Sequence, residues 1–370
     1  MRIAVLTYGR TGYLDAALRA LHALGDDVLV VAPAQVADTD FGRLAMDSFA
    51  QSVAWTTPPE PKDLVATVDA FAPDVVLRMS WGAPAAYREV LRTRPASTLR
   101  VLMMDNVWLA TPKQWLGRAA HRSYLNPFFD CVFVPSDRTE FFARRLGFDG
   151  ARIVRGCWTA DDDLFGAEPH DGTELAARSR FVAVGRLVEH KGADVLAAAY
   201  RAYRSLVAQP WDLDVVGIGP LAESFAGVPG VTMHGFQQPD RVAQLMKRSS
   251  CFVLPSRLEP YGVVVHEAAC AALPLLCTDA AAAVPVFLQD GANGWTVPSA
   301  DVAAWASALA RMSTQPADRL AEMSRISRAL ASRMSTRIWA RHVHDEFGRR
   351  LAARRGRSAP AVTTTGETVP

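Results

Sequence analysis

Two carboxylates, Glu259 and Glu267, stand eight residues apart in the stretch Ser256-Arg257-Leu258-Glu259-Pro260-Tyr261-Gly262-Val263-Val264-Val265-His266-Glu267. The apolar run 251–254 before it reads as a buried strand that Pro255 and Ser256 end, and the run from Val263 to Leu273 reads as a buried helix. One carboxylate thus sits in a loop and the other about a turn into a helix. Such a strand–loop–helix elbow belongs at the C-terminal edge of a parallel sheet, where open α/β sheets bind ligands. Backbone N–H groups near Gly262 and Val263 would point from the helix N-terminus at an anion such as a diphosphate. Gly262, lacking a Cβ, lets the backbone come close. Like charge keeps Glu259 off a diphosphate and suits it to sugar hydroxyls, while Glu267 could accept from two ribose hydroxyls. The chemistry fits a nucleotide-sugar donor. Two glutamates by themselves read equally well as a surface loop and a solvated helix face.

A cationic turn lies upstream. The run 181–184 reads as a strand, Gly185-Arg186-Leu187-Val188-Glu189-His190-Lys191-Gly192 follows, and a helix is expected from Ala193 to Leu206. A guanidinium and an ammonium five residues apart at a strand-to-helix turn would converge on a diphosphate, Arg gripping two oxygens and Lys adding a compact charge. Each such contact contributes about 1.5–3 kcal/mol. The bland alternative is two surface cations. It is weakened because the only lysines are Lys62, Lys113, Lys191 and Lys247.

The elements that must position these groups alternate along the chain. Strands are expected over 2–7, 28–32, 74–79, 100–104 and 131–134, with helices up to Gly25 and over 61–71, 83–91, 112–124 and 137–146. The last would start with an Asp137/Glu140 capping box and stop at Gly147. After the strand of 181–184 come strands over 212–216 and 231–234, and helices over 240–247, 302–309, 317–332 and 336–351. This alternation predicts doubly wound parallel sheets. Polar residues gather at the first half's strand ends: Ser80 and Trp81, Asp105 and Asn106, and Ser136. Asp105 is the strongest candidate for contact with an acceptor or transferred sugar, its alternative being an Asx-type cap. Gly9 and Gly12 give the first turn a phosphate-loop shape, though a tight turn explains them as well. Phe236, after a short strand, reads as core before it reads as a stacking platform.

At 370 residues the chain can hold two α/β cores. A net charge of +2 gives no reason to expect a nucleic-acid partner. The five cysteines form no C-x-x-C pair and mostly sit in apolar runs, as free buried thiols do. No metal cluster is visible; Asp161 to Asp163 lies away from any strand end. No run of about 18 apolar residues could span a membrane, and no signal peptide is expected behind the first strand.

The elbow closely resembles the E-x7-E motif of the retaining glycosyltransferases of family 4, which have the GT-B fold. The likeness runs through Glu267-Ala268-Ala269-Cys270-Ala271-Ala272-Leu273-Pro274 and Asp290-Gly291-Ala292-Asn293-Gly294-Trp295-Thr296-Val297. Upstream, Gly185 to Gly192 matches the family's G-R-L-x-x-x-K-G. The resemblance implies two Rossmann-like domains facing a cleft: residues 1–165 for the acceptor and 166–335 for the donor. A final helix of 336–357 would cross back to the first, with Trp339 and Phe347 as anchors, and 358–370 would be a disordered tail. It implies that Arg186 and Lys191 bind the donor diphosphate, that Glu259 holds the sugar and Glu267 the ribose. Gly12, Gly185, Phe236, Tyr261, Gly262 and Val263 would complete the donor site. Two departures stand out. Ala272 replaces a usual Gly, and Ala281-Ala282-Ala283 replaces a Gly pair, which would narrow the sugar pocket if that loop came close. Asp105-Asn106 stands where many relatives have a His.

The expected reaction moves a hexosyl group from a nucleoside-diphosphate sugar to a hydroxyl of a sugar or lipid-linked acceptor, with retention and without a metal or other cofactor. A cytoplasmic enzyme of glycan, glycolipid or polysaccharide synthesis would fit. Arg349, Arg350, Arg354, Arg355 and Arg357 could favour an anionic membrane's inner face, or simply solvate a helix end. The rival readings are a catalytically silent nucleotide-sugar-binding relative and a nucleotide-sugar epimerase on the same fold.

Overall fold

Short apolar runs become strands buried on both faces, as all-parallel sheets require. The computed structural model describes residues 1–34, 46–79 and 84–358, apart from the side chains of residues 46, 47, 122, 124 and 356–358. One sheet holds β1 (Arg2–Leu6), β2 (Asp27–Pro33), β3 (Gln51–Trp55), β4 (Val75–Met79), β5 (Leu99–Met103), β6 (Cys131–Val134) and β7 (Ile153–Arg155). Its order is β3-β2-β1-β4-β5-β6-β7. The other holds β8 (Arg180–Val184), β9 (Asp212–Val216), β10 (Val231–Gly235), β11 (Cys251–Leu254), β12 (Leu275–Thr278) and β13 (Gly294–Val297), in the order β10-β9-β8-β11-β12-β13. Every pairing is parallel. Strand order reverses between β1 and β4 and between β8 and β11. Connections diverge there to opposite faces and leave a crevice at the strands' C-terminal ends.

The last helix, Thr336–Ser358, returns to the first sheet. Trp339 stacks on Phe133 of β6 with ring centroids 6.3 Å apart, and its indole N–H donates to the Cys157 carbonyl at 3.1 Å. Phe347 meets the same Phe133 edge-on at 5.7 Å. Farther along, Arg354 pairs with Asp130 and Arg355 with Asp74, each at 2.7 Å, while Arg349 and Arg350 both pair with Glu346. Four of the five arginines that give this end its basic character thus have carboxylate partners, with Arg349 and Arg350 sharing one and Arg354 sharing Asp130 with Arg100. All five cysteines are buried and free.

Several expectations need correction. The helix Asp137–Arg145 is capped by Ser136, whose Oγ accepts from Thr139 N, and Glu140 turns outward to Arg144 and Arg155. No Asp137/Glu140 box forms, because the extended N-cap residue is one position earlier. Ser136 is buried in that cap and does not offer its hydroxyl to the cleft. The strands β3, β7, β12 and β13 were not expected; β3 is largely exposed, β7 has three residues, and β12 follows the apolar run 263–273 directly. The polar segment before β8 contains a helix, Gly172–Arg178, N-capped by Asp171. Ser80, Trp81 and the tail from 359 lie outside the described residues.

Removing an N-cap hydroxyl costs about 1 kcal/mol. Ser136→Ala should lower unfolding stability by that amount in denaturant titrations, whereas Asp137→Ala, whose pair with Arg155 is exposed, should change it by less than about 0.5 kcal/mol. Equal losses would return the cap to Asp137.

Candidate active site

The second sheet's crevice is built by two loops that touch. Gly192 has φ +69°, and a Cβ there would lie 2.1 Å from the Pro255 carbonyl oxygen. Only glycine permits this approach of the loop after β8 to the loop after β11. The contact brings Lys191 Nζ to 2.5 Å from Glu259 Oε2, and Ser256 Oγ donates to the same oxygen at 3.2 Å. Glu259 is only 6% exposed. A buried carboxylate needs such partners. Gly262 (φ +91°) starts the helix Val263–Cys270, and a Cβ on it would lie 2.9 Å from Glu259 Cγ. The expected close packing at Gly262 is therefore directed at the carboxylate side chain.

Arg186 is exposed and has no ion-pair partner among the described residues. With Lys191, Gly185 and Ser256 it lines a small pocket at the ends of β8 and β11. A Cβ on Gly185 would meet nothing within 4 Å, so its surroundings are open, whereas one on Gly217 would lie 1.9 Å from the Gly185 oxygen. Gly217 is thus a packing glycine. His190, not singled out in the sequence, sits in the same turn; partial burial lowers its pKa first, and the charges of Lys191 and Arg186 lower it further.

Residues of the first sheet face this crevice. Asp105, just past β5, is half-buried. Its pKa is raised first by burial and then by the negative charge of Glu259, against hydrogen bonds that include one from Trp158. Trp158 packs edge-on against Tyr13 at 5.3 Å. Burial pushes the Tyr13 phenol up to about 12. Gly12 opens the first helix, Gly12–Ala23, and its Cβ position lies 3.4 Å from Pro239, which opens the helix Pro239–Lys247 of the other half. Arg138 donates to the carbonyls of Asp279 and Ala280 at 2.6 and 3.0 Å across the same gap. Tyr261 is buried, and its hydroxyl has no hydrogen-bond partner among the described residues. Phe236 follows β10 half-buried.

The helix Val263–Cys270 is clamped by a residue that the sequence reading passed over. His266 is fully buried and stacks on Phe287 at 4.1 Å. Its Nδ1 accepts from Ala160 N at 3.0 Å and its Nε2 lies 3.3 Å from the Ala331 carbonyl. Burial lowers its pKa to about 4, so the ring is neutral with its proton on Nε2. The alanine replacements do not narrow open space: Ala281, Ala282 and Ala283 are buried in the core, and Ala281 pairs backbone to backbone with Glu259. Ala272 closes the far end of the helix at φ +55°. Asn293 is structural too, bonding Gln289 N, the Phe287 carbonyl and Ser327. Among the described residues no group of three or more His, Cys, Asp or Glu could hold a metal ion.

Glu267, beside this clamp, is half-buried and makes no hydrogen bond among the described residues. Burial, with the charge of Asp161, pushes its carboxyl from the ordinary 4.5 up to about 7. A raised carboxyl pKa means that the folded state holds its proton longer than the unfolded chain, so stability falls as pH climbs from about 4.5 to about 7. Relative to wild type, Glu267→Gln should be unchanged near pH 4.5 and more stable at pH 7.5 in urea unfolding. A pH-independent difference would contradict the buried carboxyl.

Residues 178–315, which carry both loops, match the family described as Glycosyl transferases group 1. A D-inositol 3-phosphate glycosyltransferase of Gordonia bronchialis is 35% identical over 115 residues, 31% of this chain and 25% of that protein. An alpha-D-kanosaminyltransferase of Streptomyces kanamyceticus is 29% identical over 174 residues, 44% of each chain. The match thus spans a quarter to under half the length of these curated relatives. Among solved structures, Anabaena HepE in complex with UDP and glucose superposes with a TM-score of 0.74 at 18% identity, covering 94% of this chain and 100% of that one. That likeness is one of fold. With the two facing parallel sheets, it makes the architecture GT-B. With the motifs of residues 185–192 and 259–267, which lie inside the matched segment, these matches make residues 178–315 similar to the glycosyl transferases group 1 family.

Proposed function

We propose that this protein transfers a hexosyl group from a nucleoside-diphosphate sugar to an acceptor hydroxyl with retention of configuration and without a divalent ion. The observation that carries this is the 2.5 Å contact of Lys191 Nζ with Glu259 Oε2 beside the exposed Arg186, at the reversal point of the second sheet. An ammonium has three donors. Lys191 can bond Glu259 and still donate to a phosphate oxygen, while Arg186 supplies a second charge to the same leaving group. Preorganised positive charge of this kind offsets the negative charge that develops as the diphosphate departs.

In this reading Gly185, Tyr261, Gly262 and Val263 shape the donor pocket and Glu267 accepts from the ribose. Phe236 stands beside the base and Gly12 beside the phosphates. Glu259 orients the sugar, and Asp105, facing it, contacts the sugar or the acceptor. The acceptor hydroxyl attacks on the face from which the nucleotide leaves, and a phosphate oxygen takes its proton. The half of 1–165 would take the acceptor and that of 166–335 the donor. UDP-glucose is the first donor to try, because it is bound in a solved HepE structure. Inositol 3-phosphate is a reasonable first acceptor, given the relatives' names. No helix among the described residues is long and apolar enough to cross a membrane.

Calorimetry with UDP, GDP and ADP in EDTA, followed by NMR of the product anomer, tests the proposal. One nucleotide should bind without metal, and the product should keep the donor's anomeric configuration. Lys191→Ala should lower kcat/KM by roughly 10–150-fold, the equivalent of one charged contact of about 1.5–3 kcal/mol. Nucleotide binding without turnover of any donor would favour a catalytically silent relative. Binding of none would remove the donor site.

A further inference from the structure

A second basic groove lies at the opposite end of the donor sheet. It has a volume of about 550 Å³ and is framed by β9, β10 and the helices Gly172–Arg178 and Pro239–Lys247. Arg180, the first residue of β8, lines it, whereas Gly185 of the donor pocket follows the last. Five strand residues at about 3.3 Å each put roughly 15 Å between the two. The groove is separate from the site described above.

Its charges are unevenly spent. Asp214 is buried and accepts from His234 Nε2 at 2.8 Å and from Arg180 at 3.1 Å; Arg180 also reaches Asp212 at 3.2 Å. Arg178 pairs with Glu174 at 2.6 Å. These groups compensate one another. Arg241 and Arg248 do not share in this: Arg241 bonds only the neutral Gln244, at 3.0 Å, and neither has a carboxylate partner among the described residues. They stand seven residues apart, two helical turns, so both guanidinium groups project from one face of the helix end into the groove. Thr232, exposed on the edge strand, adds a hydroxyl.

We propose that this groove binds a phosphomonoester. Two uncompensated guanidinium forks suit the oxygens of a phosphate dianion, which accepts bidentate pairs. The volume falls in the range of small-molecule sites, about 300–1,000 Å³, so there is room for more than the phosphate. The paired Arg180–Asp214–His234 floor leaves a polar surface for hydroxyl groups. A sugar phosphate and a phosphorylated lipid headgroup share this chemistry.

The test measures glucose 6-phosphate binding by calorimetry, and phosphatidic acid by co-sedimentation with phosphatidylcholine vesicles that contain it. Proteins compared are wild type, Lys191→Ala, the double variant Arg241→Gln/Arg248→Gln, and Arg248→Glu at an exposed position that does not endanger folding. At least one probe should bind wild type and Lys191→Ala alike and bind the two groove variants about tenfold more weakly. Calorimetric binding assigns a soluble ligand, and co-sedimentation alone assigns a lipid. The proposal is overturned if neither probe binds, if Lys191→Ala abolishes binding, or if the groove variants bind as wild type does.

Discussion

A carboxylate that is almost wholly removed from water must be compensated, and the donor half is arranged around that requirement at Glu259. Its partner Lys191 comes from a different strand's loop, 68 residues away in sequence. The two meet because Gly192 lets its backbone press against the Pro255 carbonyl. Ser256 adds a hydroxyl, Gly262 leaves room for the Glu259 side chain, and Ala281 braces its backbone. A Cβ at either glycine would separate charges whose mutual attraction offsets the cost of burial. The same arrangement leaves Arg186 exposed at the mouth, where a ligand anion is cheaper to bind than it would be in the interior.

The two halves are held in register by contacts that involve little surface charge. His266 is held between the Ala160 amide and the Ala331 carbonyl, with its ring against Phe287. This fixes the helix that carries Glu267 to the segment joining the sheets. Thr336 is tied to Asp162 at 2.7 Å, and Lys247 donates to the Leu164 carbonyl at 2.8 Å. These bonds gather near the crossing chains, away from the loops that face each other. Arg138 instead spans to the loop after β12 by its side chain.

Electrostatics on the side of the first sheet follow from the same geometry. Asp105 and Glu259 come from different halves, yet the charge of Glu259 reaches Asp105, which holds its proton more strongly for it. Two carboxylates facing a shared space discourage a second anion there and favour hydroxyl groups, which donate to both. Positive charge is gathered instead at the turn of Arg186 and Lys191.

The architecture, and the loops that carry the candidate site, were legible in the sequence because both depend on local order. Strand and helix periodicity marked most elements, and the spacing of Arg186, Lys191, Glu259 and Glu267 around glycines marked the loops. Four strands escaped for local reasons: β3 is largely exposed, β7 has only three residues, β12 continues the apolar run of the preceding helix and β13 sits in the stretch 290–297; the Ser136 cap was displaced by one residue because Asp137 is as good a cap by type. What the sequence could not hold is which distant groups meet. The Lys191–Glu259 pair, the placing of Asp105 against Glu259, the neutral His266 clamp and the arginines left unpaired beside β10 depend on contacts across strands and between sheets. Such contacts are set by packing, which no spacing along the chain records. Residue types along the chain placed the charges on particular loops; tertiary structure decided which of them meet a partner and which stay exposed, because partners are set by packing between strands.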